Sequence, residues 1–137
     1  MRITKTDYIE YIICAKNLWL KKHKPEIFDG LELTEFEQEI IRNGQIVDQA
    51  SMKLFPEGKL INSKDLDGIE HSKELVANNT GTIFQPSFEW DNFFAKPDIL
   101  HFNDETEGWE LYEVKSTTSV KKYPYNHIKD LAFQRIL

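Results

Sequence analysis

Pro97-Asp98-Ile99-Leu100-His101-Phe102-Asn103-Asp104-Glu105-Thr106-Glu107-Gly108-Trp109-Glu110-Leu111-Tyr112-Glu113-Val114-Lys115 reads as a β-hairpin, and how it pairs decides the fold. Both flanks are rich in aromatic and branched residues, while the polar run from Asn103 to Glu107 has turn chemistry. Strands are expected over Phe93 to Phe102 and Gly108 to Ser116. If Phe102 pairs with Trp109, then Leu100 faces Leu111 and Asp98 faces Glu113, because directly opposed residues of an antiparallel pair project to one side. Lys115 follows on that side. The shared face is then apolar through Leu100, Phe102, Trp109 and Leu111, and acidic only at its far end.

Opposed Cβ atoms lie about 4.5–5.5 Å apart. Two ionised carboxylates at that distance repel by roughly 3 kcal/mol at an effective dielectric near 20. A hard divalent cation suits the place, since Mg²⁺ is held by one or two carboxylates completed by water and substrate phosphate. Lys115 adds a second positive charge. The same residues also admit a plainer reading. Asp98 is then a strand polar residue after a proline, and Glu113 with Lys115 a surface pair worth about 0–1 kcal/mol.

Pro97-Asp98, a gap of fifteen positions to Glu113-Val114-Lys115, then Ser116-Thr117-Thr118 and a helix bearing Gln134 resemble the PD-(D/E)XK nuclease superfamily, in its RecB-like branch. Thr4-Lys5-Thr6-Asp7-Tyr8, Cys14-Ala15-Lys16-Asn17-Leu18-Trp19-Leu20 and Leu54-Phe55-Pro56 resemble a bacterial family related to the CRISPR-associated RecB-like exonucleases, over nearly the whole chain. The resemblance implies a restriction-endonuclease-like core and Mg²⁺- or Mn²⁺-dependent hydrolysis of DNA phosphodiesters. It makes Asp98 and Glu113 metal ligands, Lys115 the catalytic lysine and Gln134 a further site residue.

The chain departs from this pattern at several places. Gly44-Gln45-Ile46-Val47-Asp48 has an aspartate where RecB-like relatives place a histidine ligand. Asp48 is a candidate metal ligand, because carboxylate oxygen suits Mg²⁺; it also suits a solvated helix face, and Glu39 is a weaker substitute. Gln85 stands where the close family favours Glu. Gln134 lacks its tyrosine partner. Cys14 matches one cluster cysteine of the related exonucleases, yet it is the single cysteine of the chain. An iron–sulfur cluster takes four thiolates, so none forms within this chain; Cys14 is expected to be a small buried apolar residue, with one ligand of a cluster completed by sequence beyond Leu137 as the alternative.

Outward from the hairpin, Thr4-x-x-Asp7 and Thr34-x-x-Glu37 are helix starts of the capping-box type. The first helix is expected to run unbroken to His23, and the second to end at Pro56-Glu57-Gly58 with Asp48 inside it. A third spans Asp65 to Asn78, a strand Thr82 to Glu89, and a last helix Asn126 to Leu137. The order ααα-βββ-α describes an α/β (α+β-like) fold, helices flanking a mainly antiparallel or mixed central sheet. The 137 residues suit one nuclease-like domain. The last helical pattern reaches the final residue without a stop signal, so the chain is expected to be the N-terminal part of a longer protein.

A formal charge of −6 argues mildly against nucleic acid. Lys121 and Lys122 are placed at the rim of the expected site, whereas Lys16, Lys21, Lys22 and Lys24 suit a helix C-terminus. His23, His71, His101 and His127 form no metal spacing, and His127 alone merits a test. No apolar run approaches a membrane span and no secretory signal opens the chain. A cytoplasmic location is expected, with DNA and further domains of the same protein as partners and no membrane. The expected activity is that of a metal-dependent deoxyribonuclease in repair, defence or element mobility. A catalytically inactive nucleic-acid-binding module of the same fold and a protein-interaction domain are the alternatives.

Overall fold

Two fully buried prolines, Pro86 and Pro97, govern the layout of the strands. The computed structural model describes residues 2–28, 32–63, 66–123 and 126–136. Its elements in chain order are β1 (Ile3–Thr4), α1 (Lys5–His23), a 3₁₀ turn at Pro25–Ile27, α2 (Glu35–Met52), β2 (Lys59–Leu60), α3 (Leu66–Ala77), β3 (Thr82–Phe84), β4 (Phe88–Trp90), β5 (Phe93–Ala95), β6 (Ile99–Asn103), β7 (Gly108–Tyr112) and α4 (His127–Arg135). The fold is mixed α/β, with four α-helices and two mixed sheets among the described residues, ordered β1-β5-β4 and β2-β3-β6-β7.

One central sheet was the expectation, and two form instead. The strands expected at Thr82 to Glu89 and Phe93 to Phe102 do pair as one antiparallel hairpin, closed by the two-residue turn Asp91-Asn92 with Asp91 at φ 53°. Its register is continuous. Phe88 pairs with Ala95 in the first sheet and Phe84 with Ile99 in the second, so Gln85–Ser87 lies opposite Lys96–Asp98 with no residue gained or lost. Both ladders are interrupted in that stretch. Proline has no N–H to give a ladder, and Gln85 takes φ 51°, the left-handed region that few side chains adopt. The bend is held by the Gln85 N–H donating to the Asp98 carbonyl at 2.9 Å, and by the Ser87 N–H donating to Ser72 Oγ at 2.8 Å. Asp98 therefore sits at a corner rather than along a strand.

The first helix also departs from expectation. Cys14 is extended (φ −158°, ψ 98°) and breaks α1. Lys22 Nζ reaches Asp7 Oδ2 at 2.8 Å, and Lys21 Nζ and Asn17 Nδ2 reach Glu10 at 2.7 and 2.6 Å. In a straight helix Asp7 and Lys22 would stand about 22 Å apart, so the chain folds back on itself at Cys14. That residue is exposed at the turn, not buried as the sequence suggested. The predicted caps form at both helix starts, Thr4 with Asp7 and Thr34 with Glu37.

Ile61, Leu75 and Ile83 form a buried cluster with Val76 and Trp109 against it. Aromatic contacts close the other side, Tyr8 stacking on Phe133 at 5.1 Å and Phe93 meeting the edge of Phe133 at 6.0 Å, which docks α4 on α1 and β5. On α2, Phe36, Ile40 and Ile41 remain exposed. The third helix, expected over Asp65 to Asn78, is Leu66–Ala77; Asp65 and Leu137 lie outside the described residues. No helix is long and apolar enough to cross a membrane among the described residues.

Candidate active site

The hairpin register expected from the sequence is present: Phe102 pairs with Trp109, Leu100 with Leu111 and Ile99 with Tyr112. Asp98 and Glu113 are the next residues out on the two strands. Asp98 Oδ2 accepts the Val114 N–H at 2.7 Å. The Glu113 side chain is only 6% exposed, and both of its oxygens are engaged. Oε1 accepts from Lys5 Nζ at 2.7 Å and Lys115 Nζ at 2.5 Å, and Oε2 accepts from Gln134 Nε2 at 2.6 Å.

Asp130 completes the cluster. Its Oδ2 lies 2.7 Å from Lys115 Nζ and its Oδ1 lies 3.9 Å from Lys5 Nζ. Asp130 and Gln134 share one face of α4, four residues apart, and the Asn126 side chain caps that helix by accepting from the Ile128 and Lys129 N–H groups. Two helices and one strand end thus meet at a single carboxylate. Lys5 and Asp130 are the members that sequence reasoning missed. Lys5 lay in a quoted motif without a role, and Asp130 carried only the faint signal of standing one turn before Gln134.

The two facing acids have opposite electrostatics. Burial, then the charge of Glu113, raises the Asp98 carboxyl to a pKa of about 6. Burial opposes ionisation of Glu113 as well, but the Lys5 charge and the hydrogen bonds from Lys115, Lys5 and Gln134 overcome it and hold its pKa at about 2. Lys115 is partly desolvated, yet its bonds to Asp130 and Glu113 raise its pKa and keep it protonated. Asp48, on α2, is raised by burial and by the Glu113 charge, partly offset by Lys115 and Lys5. Its carboxyl therefore senses this site. Glu39 does not share it, being exposed and paired with Arg42 at 2.9 Å.

Among the described residues, no group of three or more His, Cys, Asp or Glu side chains is arranged to enclose a metal ion. Asp48 thus does not join Asp98 and Glu113 in a three-carboxylate cage. A hard cation uses one or two carboxylates and fills its remaining positions with water and substrate, and the Glu113 oxygens that would take part are occupied by Lys5, Lys115 and Gln134. Gln134 Oε1 is buried without a partner among the described residues and adds an oxygen donor beside Glu113. Lys121 lines a small cavity with Lys115, His127 and Asp130, and the His127 ring accepts the Lys121 N–H at 3.2 Å. His101 points elsewhere, to Thr82 Oγ1 at 2.8 Å. Compared with protein families, curated proteins and solved structures, the chain matches none of them.

Proposed function

We propose that the chain is a metal-dependent deoxyribonuclease domain with a restriction-endonuclease-like core. One observation carries the reading: Asp98 and Glu113 emerge together at the end of one ladder, with Lys115 and Gln134 both touching Glu113. Asp98 and Glu113 would hold Mg²⁺ or Mn²⁺. When bound, such an ion supplies Lewis acidity toward a phosphoryl oxygen and lowers the pKa of water.

The chain's own residues supply the rest. Lys115, kept charged by Asp130 and Glu113, offsets negative charge gathering on the phosphoryl oxygens. Gln134 fixes the plane of the Glu113 carboxylate, and the Val114 N–H fixes that of Asp98. The test is Mn²⁺-stimulated cleavage of labelled DNA. Glu113→Gln and Lys115→Ala should abolish it with circular dichroism unchanged, and equal cleavage by the variants would refute the assignment.

A second reading draws on the full engagement of Glu113 by two ammonium groups and an amide, together with the net charge of −6. A cation must displace those partners, which suits a nuclease fold kept for binding alone. Calorimetric titration with Mn²⁺ separates the two, since an inert site takes up no ion.

A further inference from the structure

Lys5 is an odd residue for its position. It is the first residue of α1, where the helix dipole disfavours a cation. Its ammonium nevertheless lies on the same Glu113 oxygen as Lys115, so the two nitrogens stand within about 5 Å of each other, a separation that costs energy unless an anion lies between them. Both lysines line a cavity of about 400 Å³ on one side of the folded-back α1, whose wall also carries Thr6, Asp130 and Lys21, the last paired with Glu10 at 2.7 Å. Lys5 is 24% and Lys115 32% exposed, so solvent and solutes reach both.

From these facts we infer that Lys5 and Lys115 form a two-pronged clamp for a phosphate group of a nucleic-acid strand lying in this cavity. Glu113 Oε1 holds the anion's place between the two ammonium groups in the resting site. A phosphodiester oxygen presents the same charge to the same donors. Asp130 competes with it, because each of its oxygens faces one of the lysines. Lys5 is thus a substrate-binding residue with no part in holding a metal. The inference depends on the nuclease reading only for the identity of the strand as DNA.

The experiment measures binding of a short fluorescein-labelled single-stranded oligodeoxynucleotide to the full chain in EDTA, over a series of salt concentrations. Lys5→Met should weaken binding about tenfold at low salt and make the salt slope shallower by about 0.7, the value of one phosphate contact to a single strand. Lys5→Arg should retain the affinity, which separates loss of charge from loss of fold. Asp130→Asn should tighten binding severalfold, an effect that a purely structural aspartate would not produce. An unchanged slope in Lys5→Met, weaker binding by Asp130→Asn, or no binding by the wild type at low salt would each overturn the clamp. Cleavage assays in Mn²⁺ judge the other reading separately. If the binding results hold and the wild type does not cleave, the nuclease proposal fails alone; if Glu113→Gln loses cleavage while Lys5→Met binds normally, the clamp fails alone.

Discussion

Asp98 and Glu113 stand one step beyond the Ile99–Tyr112 pair at the end of the same ladder, yet one is held far above and the other below its ordinary pKa. The difference lies in their partners. Glu113 has two ammonium groups and an amide, whereas Asp98 has one backbone N–H and the Glu113 charge against it. Ionised Asp98 is therefore a cost to the fold. That cost is absent below about pH 4, grows as pH rises toward the folded pKa of about 6, and is complete above it. Asp98→Asn keeps an acceptor for Val114 and should gain about 1–2 kcal/mol at pH 7.5 without divalent ions, and nothing at pH 4. Urea unfolding at the two pH values checks this; equal stability of variant and wild type at pH 7.5 would contradict it.

Glu113 has the opposite sign. Its lowered pKa means that its stabilisation is present above pH 4.5 and drains away as pH falls toward 2. Glu113→Gln leaves two partly buried lysines sharing Asp130 and should cost about 3 kcal/mol at pH 7. The penalty should shrink as the wild type is acidified through that window, which thermal melts at stepped pH will follow.

Mn²⁺ gives a reading independent of turnover. An ion bound to the native state alone stabilises it by about 2.7 kcal/mol at a hundredfold excess over its dissociation constant. Wild type should show a saturable rise in melting temperature with Mn²⁺, and Asp98→Asn and Glu113→Gln little or none. A similar rise in all three proteins would place the ion elsewhere.

The corner that presents Asp98 has its own support. Ser72 is fully buried, donates to the Gly68 carbonyl at 2.6 Å and accepts the Ser87 N–H at 2.8 Å. Ser72→Ala leaves that N–H buried and unpaired, at a cost of about 1–3 kcal/mol. Chemical denaturation measures the loss, and hydrogen exchange should show the Ser87 amide opening before those of β6.

Local pattern made part of this legible. Alternation and turn residues placed the β6–β7 register to the residue, and the Thr4–Asp7 and Thr34–Glu37 spacings marked two helix starts. The bend at Gln85–Ser87 and Lys96–Asp98 left a trace in its prolines, but their effect depends on two strands being broken at one level, which neither strand shows alone. The reversal at Cys14 was hidden because the apolar spacing of α1 continues across it, and the ion pairs that hold it link residues far apart in a helix but adjacent after folding back. Lys5 and Asp130 went unseen for the same reason. Lys5 meets Glu113 across 108 positions and Asp130 meets Lys115 across a loop, and no local spacing encodes either contact.

Glu113 binds Lys5, at the start of α1, and Gln134, on α4. A nascent chain therefore carries one half of this knot long before the other is synthesised. Until the ribosome has passed residue 134, the buried carboxylate lacks its amide partner and Lys115 lacks Asp130, so the acidic end of the hairpin cannot be completed before α4 has been synthesised.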